Sequence, residues 1–98
     1  MATTGQAVVD FGAFPGVTDI SLPITGQAGI LSGSFVEAWV TPVATVEHSA
    51  DEHLVDPPRV AAGNIVAGTG FTIYALASDM FPDAPRTYGR WTVNWVWA

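Results

Sequence analysis

The sequence predicts an all-β fold, an antiparallel β-sandwich or small barrel of about six short strands. Apolar residues recur with period two in at least five segments, Gly and Pro turn signals separate those segments, and no stretch carries the apolar spacing of an amphipathic helix. A chain of 98 residues is one domain by default, here residues 1–98, and a domain of this size encloses only a thin core.

The first five or six residues are small and polar and read as a tail. From Ala7 to Ala13, Val9 and Phe11 alternate with Val8, Asp10 and Gly12, a half-buried strand. Phe14-Pro15-Gly16-Val17 places Pro and Gly as a type II turn does. In the next strand, Asp19 to Ile24, Ile20, Leu22 and Ile24 share one face, and Pro23, which cannot donate to a ladder, puts the strand at a sheet edge or ends it early. Ser34 to Ala44 is the longest candidate strand. It is apolar on both faces, which predicts a place inside a sheet or at a subunit contact, with Pro42 limiting its far end.

Residues 46–56 break the β pattern. Ser49 with Glu52 is the Ser-x-x-Glu of a capping box, so one helical turn is expected before Pro57 stops it. Arg59 to Val66 and Phe71 to Ala77, joined across Ala67-Gly68-Thr69-Gly70, form a hairpin. The last strand, Tyr88 to Trp97, sets Trp91, Val93, Trp95 and Trp97 on one face and Arg90, Thr92, Asn94 and Val96 on the other. That indole stripe faces the core or a partner.

Charge narrows the partners. Nine acidic residues against three arginines and no lysine give a formal charge of −6, too few cations to neutralise a run of phosphates or to hold an anionic membrane surface. Nucleic acid and membrane are therefore not expected partners. No span approaches the ~20 apolar residues of a membrane-crossing helix, and the opening MATTGQAVVDFG lacks the regions of a signal peptide, so synthesis in a cytoplasm is expected. Without cysteine there is no disulfide, thiolate metal site or thiol nucleophile. Only 12% of residues are charged while 49% are hydrophobic, and eleven aromatics exceed what a thin core encloses. Self-association is expected, as a homotrimer, through an interface carrying Phe35, Trp39, Trp91, Trp95 and Trp97.

The one concentration of potential ligands is Val46 to Asp56, with His48, His53, Glu47, Asp51, Glu52 and Asp56. The two histidines are five residues apart, which does not put them on one helix face, whereas His48 and Glu52 are correctly spaced. A solvated acidic loop without metal is the expectation, pH-sensitive if it lies at an interface. No Gly-x-Ser-x-Gly elbow is present, and no lysine follows Gly63, Gly68 and Gly70 to make a phosphate loop. No catalytic residues, cofactor or metal ligands are assigned, and no enzymatic activity is expected. The indoles suit sugar stacking as well as packing, with packing the stronger reading of their alternation.

Across nearly the whole chain the blocks DFGAFPG, TGQAGI, VEAW, HSADEH, AGNIVAGTGFTIYA and WTVNWVW resemble small virion proteins of tailed bacteriophages and prophages. The resemblance implies a non-enzymatic structural role in the virion, decorating the capsid or forming part of the tail or fibre apparatus beside other virion proteins. It brings no site residues. A lectin-like glycan- or receptor-binding module on the virion surface is the alternative.

Overall fold

The computed structural model describes residues 2–77 and 86–98, and these form a β-sandwich. Strands β1 (Thr3–Asp10), β2 (Asp19–Ile24) and β3 (Val36–Val40) are followed by a short helix α1 (Ala50–Val55), then by β4 (Arg59–Val66), β5 (Gly70–Leu76) and β6 (Arg90–Trp97). Two three-stranded antiparallel sheets, ordered β1-β6-β3 and β2-β5-β4, pack face to face. No described helix is long and apolar enough to cross a membrane.

Strands β1 and β3 differ from expectation in instructive ways. The residues read as a tail belong to β1, which pairs with β6 over its whole length, Thr3 opposite Trp97 and Asp10 opposite Arg90. Backbone pairing holds them there, and their polarity suits the edge position. Gly5 lies opposite Trp95, and a Cβ at Gly5 would run into the indole, so the glycine makes room for the largest side chain of the core. The strand expected from Ser34 to Ala44 is only five residues long and is an edge strand, whereas β6 is central. Pairing on both sides explains why β6 carries the densest apolar run.

β2 is an edge strand, one of the two outcomes Pro23 predicts, with Pro23 opposite Thr72 of β5. β4 and β5 form the expected hairpin, with a bulge between Gly63 and Val66 at which Asn64 adopts a left-handed φ of 51°. The turn before β2 closes with the Gly16 N–H donating to the Ala13 carbonyl at 2.8 Å. The Phe14–Pro15 bond inside it is cis, so the turn is of type VI and not the type II expected. Gly16 has φ 78°, and a side chain there would meet the Thr87 carbonyl.

The core lies between the sheets, where Val9, Phe11, Ile30, Ile73 and Val93 are fully buried. Trp95 meets Phe71 edge to face at 5.3 Å. Trp91 is 2% and Trp95 8% exposed, so neither indole is available to a partner, which corrects their assignment to an oligomer interface. They close the core of their own chain because β6 runs through its centre.

Candidate functional site

β3 leaves β6 after Val40, yet the chain from Tyr88 to Thr92 still turns backbone groups to that side. Buried peptide groups must be paired, and here residues 41–53 pair them, mostly with side chains. Thr41 N–H donates to the Thr92 carbonyl at 2.9 Å, and Thr92 N–H donates to His53 Nε2 at 3.1 Å. Thr45 Oγ1 donates to the Arg90 carbonyl at 2.7 Å, and Arg90 N–H donates to Glu47 Oε1 at 2.8 Å. His48 Nε2 donates to the Tyr88 carbonyl at 2.6 Å. The segment thus continues the sheet as a ladder built from side chains.

The capping box is complete: Glu52 N–H donates to Ser49 Oγ at 3.2 Å and Ser49 N–H to Glu52 Oε1 at 3.3 Å. It fixes α1 so that His53 Nδ1 donates to the Ser49 carbonyl at 2.7 Å while His48 Nδ1 meets Glu52 Oε2 at 2.9 Å. Glu52 is held below the usual carboxylate range chiefly by that His48 contact. The expected solvated loop holds for Asp51, Glu52 and Asp56, which are exposed, and is corrected at the two histidines. His48 is 3% and His53 2% exposed, and both lie against the indole of Trp91, His48 stacked on it at 3.8 Å. Charge pattern pointed to solvent, but Trp91, some forty residues away, supplies an apolar surface that the local sequence does not contain. All four ring nitrogens are taken up by protein atoms, and among the described residues no group of three His, Cys, Asp or Glu is arranged to hold a metal ion.

In front of this cluster opens a cleft of about 430 Å³, lined by Asp10, Gly12, Phe14, Glu47, Tyr88 and Arg90 with Ala13 and Gly89. Glu47 grips Arg90 with both oxygens, Nε–Oε1 at 3.1 Å and NH2–Oε2 at 2.8 Å. Those bonds hold the Glu47 carboxyl down at about 2 and raise the Arg90 guanidinium further. Asp10 lies opposite Arg90 in the ladder, its Oδ1 accepting from Gly12 N–H at 2.8 Å. Phe14 is exposed and meets Tyr88 edge to face at 5.3 Å, while Tyr88 backs onto His48 at 5.0 Å. The lining offers fixed hydrogen-bonding charges and an aromatic wall, without a Ser, Cys or Lys nucleophile among the described residues. No sequence motif marked it, because Asp10, Glu47 and Arg90 come from three separate regions.

The Glu47–Arg90 pair carries a pH prediction. A carboxyl depressed from 4.5 to about 2 contributes stability that is present above its unfolded value and lost as pH falls through the folded one. Melting temperature is expected to fall between pH 4.5 and 2, and Glu47→Gln should start lower and fall less over that window. Equal acid slopes in the two proteins by thermal circular dichroism would refute this.

Of the five aromatics assigned to an interface, Phe35 is 82% and Trp39 46% exposed. Trp97 is half-buried, its Nε1 donating to Gln27 Oε1 at 2.8 Å. Phe35 is pinned opposite Ala98 by two backbone hydrogen bonds of 2.9 and 3.0 Å, and apolar hollows lie on either side of it, reaching Leu31 and Ala67 in one direction and Val36 and Val96 in the other. Trp39 stands on the outer face of its sheet opposite Asn94, which is itself opposite Gln6. Compared with known proteins, the chain matches no family model, no curated protein and no solved structure.

Proposed function

We propose that this chain is a non-enzymatic structural component of a virion of the tailed-bacteriophage kind, working as a homo-oligomer against other virion proteins at the capsid or tail. The observation that carries the reading is the exposed apolar end around Phe35, with Leu31 67% exposed beside it, on a chain of charge −6 with few other charges to keep copies dispersed. Such a surface is stabilised by burial against another chain. Static light scattering at micromolar concentration is expected to give a particle of several chain masses. Phe35→Asp should weaken assembly by ~30-fold or more, the effect of losing a hot-spot aromatic of about 2 kcal/mol. A monodisperse wild-type monomer would remove the basis for the oligomeric reading.

A second reading, a glycan- or receptor-binding module on the virion surface, is favoured by the cleft. Phe14 and Tyr88 offer ring faces and edges to the apolar side of a sugar, and Asp10, Glu47 and Arg90 are already oriented to exchange hydrogen bonds with hydroxyls. A glycan array read with wild type and with Phe14→Ala tests it. Phe14 is 77% exposed, so its loss leaves the fold intact. Binding by wild type that is lost in the variant supports the reading, and an array with no wild-type signal counts against it.

A further inference from the structure

The two buried imidazoles have opposite proton requirements. Both nitrogens of His48 face acceptors, the Tyr88 carbonyl at Nε2 and the Glu52 carboxylate at Nδ1, and an imidazole makes both bonds only when it carries a proton on each nitrogen. His53 is the reverse case. Its Nδ1 donates to the Ser49 carbonyl, but its Nε2 must keep a lone pair to accept from Thr92 N–H, so only the singly protonated ring fits. A proton added at His53 Nε2 would set a donor against a donor in a buried position, whereas a proton removed from His48 would leave a carbonyl or a carboxylate facing a lone pair.

The surroundings agree with these assignments. His48 lies flat on Trp91 at an interplanar angle of 20°, and an indole face stabilises a cation. The titratable or charged groups around it are Glu52 and His53 on α1, Tyr88 before β6, and the adjoining Glu47 with its partner Arg90. His53 lies edge-on to His48 with ring centroids 6.4 Å apart, so a second positive charge there would repel the first. Both rings hold the segment that carries Glu47 onto the strand that carries Arg90, and His48 also supports the Tyr88 wall of the cleft.

We propose that His48 and His53 form a two-sided proton latch: the segment 41–56 closes on β6 while His48 is doubly and His53 singly protonated, and gaining a proton at His53 or losing one at His48 loosens it and with it the cleft. Its consequence for a ligand rests on the binding reading above, whereas the latch itself does not. Segments that are bistable and biased by buried histidine behave in this way when pH crosses the imidazole range.

The chain contains only two histidines, so long-range nitrogen–proton NMR correlation of the unliganded, labelled wild-type protein reads both rings without interference. With the segment closed, the expected spectrum has two protonated nitrogens on His48, and one protonated Nδ1 with a lone-pair Nε2 on His53. Melting temperature should fall on both sides of a maximum, with His48→Gln removing the alkaline fall and His53→Gln the acid fall. A singly protonated His48 whose Nδ1 accepts a hydrogen bond from the O–H of a neutral Glu52, or a melting temperature without a fall on either side, would overturn the latch. Both readouts are taken without ligand, so a negative glycan array leaves the latch standing and refutes only the binding reading.

Discussion

Trp95→Ala is expected to lower the stability of the domain by about 3 to 5 kcal/mol, the range for removing a large buried aromatic. The indole is 8% exposed on the central strand of its sheet, contacts Phe71 edge to face, and fills the space that Gly5 leaves open on β1. Truncation would therefore leave a void that no neighbour closes without moving a paired strand. Small domains are stable by about 5 to 15 kcal/mol in total, so the variant would keep little reserve, and a fall in melting temperature of roughly 15 °C or more follows from the scaling for this size. Phe35→Ala provides the contrast. At 82% exposure it should change monomer stability by no more than ~0.5 kcal/mol, the usual range for surface substitutions. Urea unfolding followed by far-UV circular dichroism measures both, and a Trp95→Ala protein that melts within a few degrees of wild type would contradict the assignment of Trp95 to the core.

His53→Ala should be the most damaging change in the acidic segment, costing about 3 kcal/mol. It leaves the Thr92 N–H without a partner inside the protein, a penalty of ~1 to 3 kcal/mol for a buried group, and it also removes the donor to the Ser49 carbonyl and the contact with Trp91. The diagnostic reading is local. Hydrogen exchange at the Thr92 amide should accelerate by at least tenfold relative to that at Val93, which faces Ala7 on β1 and does not depend on His53. Unchanged protection at Thr92 would show that the side-chain ladder does not hold that edge of β6.

Much of the strand pattern was legible because each signal was local. Ile20, Leu22 and Ile24 alternate within one strand, Ala67-Gly68-Thr69-Gly70 turns a hairpin, and Ser49 with Glu52 closes a capping box three residues apart. Even Pro23 announced an edge, since a missing N–H is a property of one residue. Local readings failed where a distant element decided. The polar residues Thr3, Thr4 and Gln6 carry no strand signal of their own and are ordered by pairing with β6. β3 is apolar on both faces and still lies at the edge, because strand order depends on which run can be paired twice.

The acidic segment shows the division most sharply. By itself the sequence determined an all-β domain, its main strands and hairpin, the helical turn at Ser49, and the spacing that joins His48 to Glu52. Only the tertiary structure decided that the two histidines are buried under Trp91, that they stand in for a missing strand beside β6, and that Asp10, Glu47 and Arg90 meet at one cleft. The physical reason is that hydrogen-bond satisfaction is settled over the whole fold. β6 had unpaired backbone groups wherever β3 fell short, and the polar side chains between β3 and β4 were the ones within reach, so residues that read as solvated became the ones that complete the sheet.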